Sequence, residues 1–134
     1  MAGKIVADTL EHSTAGSVTT DYVVNGSAKA WANLNGQGTI ALRDSFNQSS
    51  TTDNSSGDYT FNLASSMSDG DYGFTTSGCA GNTSSSLVVL VKSASQYGTP
   101  SNQTSSACQV TCHNYVNTAT DTGAVYPIFH GDLA

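Results

Sequence analysis

The side chains capable of chemistry are few and widely separated. The histidines are His12, His113 and His130, the first near the start and the other two near the end of a 134-residue chain. Hydroxyl side chains are so abundant that a Ser beside a His in space would carry no information. The sequence holds no G-x-S-x-G elbow, no glycine-rich phosphate loop and no H-E-x-x-H pair, so neither a nucleophile nor a phosphate cradle is marked. No catalytic residue and no cofactor are assigned on these grounds. The nearest approach to a metal motif is Cys108-x-x-x-Cys112-His113. On a strand Cys108 and Cys112 share a face, but their Cα atoms lie about 13 Å apart. That is too far for one zinc, which needs each sulfur at about 2.3 Å, so the spacing works only on a helical or bulged segment. With Cys79 the thiols number three. Free thiols packed as small hydrophobes are the leading reading; a disulfide from Cys79 to one of the others, and a metal site, are the alternatives. Asp53, Asn54 and Asp58, and Asp69 with Asp71, offer oxygen donors to a hard cation. They lack the spacing of a calcium loop and read first as turn residues bonding their own backbone.

Seven aromatic residues, Tyr22, Trp31, Tyr59, Tyr72, Tyr97, Tyr115 and Tyr126, have rings that stack on sugars, although in a small β domain most aromatics serve core or interface. Tyr97 differs because it sits in a long polar loop, which makes it the candidate for an exposed contact. Asn-x-Ser/Thr matches such as Asn54-Ser55-Ser56 read as accidents of a chain rich in these residues.

The elements that must position these groups follow from composition. Charged residues are 10% and hydrophobic residues 37% of the chain, and the bases, Lys4, Lys29, Arg43 and Lys92, are scattered. With a formal charge of -6 no basic patch forms, which argues against nucleic acid and anionic lipid surfaces. The longest apolar run, residues 87–91, is far too short to span a membrane as a helix, and no membrane insertion is expected. Residues 1–10 carry one Lys and no apolar stretch, unlike a secretory signal. Aromatics distributed along the whole length argue against disorder. Thr, Val and Tyr suit pleated surfaces and Gly, Asn and Asp supply turns.

The pattern predicts an all-β, antiparallel sandwich, jelly-roll-like, with about seven or eight strands. Residues 1–17 read as an N-terminal arm, with Ile5, Val6 and Leu10 as its attachment side chains, and residues 18–134 as the sandwich. Asn25-Gly26 between β-prone runs predicts a type I′ hairpin whose second arm carries Trp31. In residues 39–46, Ile40 and Leu42 fall on one face and Arg43 and Ser45 on the other; residues 48–58 contain no apolar side chain and read as a loop. Tyr59, Phe61 and Leu63 alternate with polar partners as a half-buried strand, and residues 72–76, 87–91, 108–116 and 124–129 supply further strands. Trp31, Phe61, Leu63, Leu87, Val89 and Val91 are the expected buried residues, in the core or at a subunit interface.

The stretch GSVTTDYVVNGSAKAW at 16–31 resembles a recurrent module of virion structural proteins of tailed bacteriophages, of the marine and cyanophage type. The likeness continues through NLNG at 33–36, GTIALRDS at 38–45, Phe46-Asn47, TDN at 52–54 and GDYT at 57–60, with KIVADT at 4–9 and Phe129 close to Gly131-Asp132 also similar. It is dense over roughly residues 4–75 and thin beyond. Ala32 and Leu34 stand where bulkier residues are frequent, and His130 interrupts the usual ending. The resemblance implies a tail-fibre, knob or capsid-decoration component, made in the bacterial host cytoplasm and displayed on the virion. Such a protein is non-enzymatic and assembles as a homotrimer with other virion proteins as partners. The competing expectation is a carbohydrate-binding adhesin tip that contacts host surface glycan through loops 47–58, 78–86 and 95–107.

Overall fold

A computed structural model describes residues 3, 5–80, 87–91 and 102–134, with 87–91 described by backbone alone. Their elements, in chain order, are β1 (Thr9–His12), β2 (Gly16–Thr19), helix α1 (Thr20–Gly26), β3 (Ala30–Asn35), β4 (Ala41–Phe46), β5 (Gln48–Ser55), β6 (Asp58–Leu63), β7 (Gly73–Cys79), β8 (Leu87–Val91), β9 (Gln103–Thr104), β10 (Ala107–Asn114) and β11 (Ala124–His130). One sheet runs β5-β6-β10-β8, with the short β9 also paired to β10; a second runs β4-β3-β11-β7; and β1 pairs only with β2. Every pairing is antiparallel. The chain is an all-β sandwich.

Period-two alternation builds the core. Tyr59, Phe61 and Leu63 turn inward from β6, as the sequence predicts; Cys108, Val110 and Cys112 do so from β10, Ala30, Ala32 and Leu34 from β3, and Val125 and Phe129 from β11. Met67 and Tyr72 close one end, and the Tyr72 ring meets Phe129 edge-on at 5.9 Å. Each large side chain buried this way contributes about 1.5–3 kcal/mol. The chain crosses between the sheets at Asn47, a single residue with φ 54. Its side-chain amide donates to the Lys29 and Ser65 carbonyls at 3.1 and 3.0 Å and accepts from the Ser65 N–H at 2.6 Å, which pins the corner.

Three expectations need correction. The hairpin at Asn25-Gly26 does not form. A type I′ turn needs positive φ at both residues, and neither Asn25 nor Gly26 has it. The β-prone run divides instead: its start belongs to β2, the Thr20 N–H bonds the Asp8 carbonyl at 2.9 Å, and the chain then turns into α1. Asp21 in the first turn suits the helix dipole, and Asn-Gly acts here as a helix stop. Residues 48–58 are not a loop, because β5 occupies most of them. It is an edge strand exposed along most of its length, so it needs no apolar side chain. A polar ladder fixes it to β6: Asn62 donates to the Ser50 and Thr52 hydroxyls at 3.0 and 3.3 Å, and Asn54 to Thr60 at 2.9 Å. Third, of the two places expected for Trp31, the core and a subunit interface, the structure excludes the core. It points out of the second sheet and is 36% exposed. Its inward neighbours, Ala30 and Ala32, are small enough for the sheets to approach closely. The side chains of Leu87, Val89 and Val91 lie outside the described residues.

Candidate functional site

Among the described residues, exposed large apolar side chains concentrate on two surfaces. The first is the N-terminal unit. The β1–β2 turn is tied by His12, whose Nδ1 accepts from the Ala15 N–H at 3.1 Å, and α1 follows directly. Described residues from Ile5 to Thr19 are all exposed, including the predicted attachment residues Ile5 (91%), Val6 (80%) and Leu10. Val18, Tyr22 and Val24 are exposed with them. The joint to the sandwich is Lys29, a buried cation whose ammonium donates to the Val24 carbonyl near the helix end, to the Ser27 carbonyl at 3.1 Å and to the Ser27 hydroxyl at 3.0 Å. A cation satisfying terminal helix carbonyls is the favourable arrangement there.

The second surface is the outer face of the sheet β4-β3-β11-β7. Register sets its rows. Phe46, Trp31, Ile128 and Thr75 lie side by side across the four strands. In the next row Asp44 pairs Asn33, and Tyr126 pairs Ser77; the β3–β11 register, with Leu34 opposite Val125 and Trp31 opposite Ile128, sets Tyr126 across from Asn33. A β-bulge between Asn33 and Leu34 breaks the alternation expected for β4. Arg43 is the extra residue, so Arg43 and Asp44 are both exposed and Ser45 is half-buried. Bulges re-aim side chains in this way. The guanidinium is held against the face by Asn35 Oδ1 at 2.9 Å and Asn33 Oδ1 at 3.4 Å. The sequence signal for this face is present in hindsight: Trp31 shares the parity of Asn33 and Asn35, and those amides mark the solvent side.

The residues read first as possible chemistry are dispersed. His113 Nδ1 faces the Asn117 carbonyl at 3.3 Å and its Nε2 faces the Thr111 hydroxyl at 2.7 Å, which ties β10 to the turn after it. His130 is exposed on β11. All three cysteines are free; Cys108 and Cys112 are buried, as the leading reading of the sequence held, whereas Cys79 is exposed. Burial pushes the Cys108 thiol up to about 12 and the Cys112 thiol up to about 11, so both stay protonated and unreactive. Burial likewise raises Tyr72 and Tyr59. Tyr59 donates to the Gly36 carbonyl at 2.8 Å and meets Asp121, which also accepts the Gly57 N–H at 2.8 Å. Asp69 accepts the Asp71 N–H at 2.9 Å, the turn role expected of it. Asp58 accepts from Gln109 at 2.6 Å and from Asn54 at 3.1 Å. Among the described residues no three His, Cys, Asp or Glu side chains gather as a metal-binding group, and no helix is long and apolar enough to cross a membrane. Tyr97 and most of the loops 78–86 and 95–107 lie outside the described residues.

Architecture places the chain in the class of all-β sandwich domains, here with an exposed β1–β2 hairpin and α1 before the first sandwich strand. Comparisons with protein-family models, curated proteins and solved structures returned no match.

Proposed function

We propose that this chain is a non-enzymatic structural component of a bacteriophage particle, displayed at its surface as a knob, a small fibre element or a capsid decoration. In this reading the N-terminal arm attaches it to other virion proteins and to copies of itself in a homotrimer. The observation that carries the reading is the arm. Ile5, Val6, Leu10, Val18, Tyr22 and Val24 are exposed on a unit that pairs with neither large sheet, and apolar side chains grouped on an appendage call for a covering surface. The resemblance of residues 4–75 to phage virion modules supplies the setting. Association also suits a small domain whose sheet edges carry few Lys guards.

Immunogold electron microscopy with an antibody raised against the purified chain tests the assignment. Discrete labelling of purified phage particles from the source host is the expected result. Particles without label, with the chain recovered only in the soluble fraction of the lysate, would remove it.

A further inference from the structure

We propose that the outer face of the sheet β4-β3-β11-β7 is a binding site for neutral saccharides, with Trp31 and Tyr126 as stacking platforms and Arg43, Asn33 and Asp44 as the polar groups that bond sugar hydroxyls. The proposal is independent of the virion reading. It rests on a coincidence of three features on one face.

The first is the aromatic surface. Trp31, Phe46 and Tyr126 are 36%, 55% and 39% exposed on a face whose opposite side is the packed core. Trp31 lies opposite Ile128 and so diagonal to Tyr126, which sets the two residues roughly 7–8 Å apart, with their Cβ atoms somewhat closer. Two exposed rings so spaced offer apolar surface to which the C–H face of a pyranose packs. The second feature is the polar set between and beside them. Arg43 is brought outward by the bulge and fixed by two neutral amides. Those two bonds leave most of its N–H donors available. Asp44 and the Asn33 amide add acceptors and a further donor pair. Donors and acceptors interleaved at strand spacing match vicinal hydroxyls, each of which donates and accepts.

The third feature decides the occupant. The chain is acidic, but Arg43 and Asp44 cancel on this face, so it complements an uncharged ligand. The exposed portions of Trp31, Phe46, Tyr126 and Ile128 together amount to about 300–400 Å², whereas the apolar part of a standard protein interface is about 450–520 Å² per partner. The area suits a short run of sugar rings. It is small for a second copy of this chain.

The test uses the full chain, fluorescently labelled, on an array of defined neutral and acidic glycans. Each glycan that binds is then titrated against unlabelled protein while Trp emission is followed. Trp31 is the only Trp in the sequence, so the signal reports this face directly. Binding to neutral glycans is expected, with a change in Trp emission on saturation. Trp31→Ala, Tyr126→Ala and Arg43→Ala should each weaken binding about tenfold or more, while Thr52→Ala on the other sheet leaves it unchanged. Thermal melts and light scattering of the same variants separate loss of fold or of assembly from loss of binding. The proposal is overturned if no neutral glycan binds, if binding survives both Trp31→Ala and Tyr126→Ala, or if Trp31→Ala instead dissociates an oligomer in the absence of any glycan binding. None of these outcomes alters the immunogold result, so the two readings fail separately.

Discussion

Replacing Gly57 by Ala should be among the most damaging single-methyl changes in the chain. Gly57 sits at the β5–β6 turn with φ 68, and an added Cβ would lie 2.6 Å from the Cys112 carbonyl oxygen, 2.6 Å from the Thr120 nitrogen and 2.7 Å from the Thr120 oxygen. The left-handed conformation costs a non-glycine residue about 1 kcal/mol. The clash adds more, because all three neighbours are backbone and none can swing aside. Relief means opening the bond from the Cys112 N–H to the Gly57 carbonyl at 2.7 Å, which ties the turn to β10, and the bond from the Thr120 N–H to the Cys112 carbonyl at 3.0 Å, which ties the segment at residue 120 to β10 beside it, at about 1 kcal/mol each. The expected loss is about 3–5 kcal/mol, a large share of a typical domain's stability, or roughly 10–20 °C in Tm for a chain of this length. Gly38 supplies the control. Its φ is 63, but nothing lies within 4 Å of a Cβ built there, so Gly38→Ala should cost only about 1 kcal/mol. Urea unfolding and calorimetry of both variants provide the comparison. Equal losses at the two sites would refute the packing argument and leave backbone conformation as the whole effect.

Lys29→Met should release the arm while leaving the sandwich folded, seen as faster chymotryptic cleavage at Tyr22 with little change in Tm; unchanged cleavage would mean that the ammonium does not hold the helix end. A native chain should titrate one thiol, Cys79, with Ellman's reagent and all three after denaturation, since Cys108 and Cys112 are buried. The raised thiol values also set a sign for alkaline stability. The stabilisation is fully present below about pH 9, where the unfolded thiols are still protonated, and is lost as pH rises toward the folded values of about 11 and about 12; urea midpoints that stayed flat from pH 8 to 11 would contradict this. Light scattering should give a trimer for the full chain and a monomer for a chain beginning at Ser27, which removes none of the buried core; a monomer in both cases would reject self-assembly, and a trimer in both would move the interface off the arm.

Much of the sandwich is legible in the sequence because the central strands bury one face and so must alternate. Tyr59, Phe61 and Leu63 mark β6 by that rule, and β10 and β11 lie close to their expected positions. The same rule is silent where burial is absent. β5 is held by backbone pairing and side-chain amides, so its Ser- and Thr-rich sequence looks like a loop. The run before Asn25-Gly26 is ambiguous for a related reason: Tyr22, Val23 and Val24 are exposed on α1, so burial of these side chains does not arbitrate between strand and helix. On the outer sheet face the size of Trp31 argues for burial while the parity of Asn33 and Asn35 argues for solvent, and the bulge that delivers Arg43 leaves no mark in a one-dimensional pattern.

The ladder of amides and hydroxyls along β5 and β6 has a consequence for the conditions the domain tolerates. Hydrogen bonds between neutral groups have no net charge for dissolved ions to screen, and at molar salt the Debye length shrinks to about 3 Å, which erases exposed ion pairs and leaves such a ladder intact. A surface knit from Ser, Thr and Asn therefore keeps its edge strand in register from dilute buffer to brine.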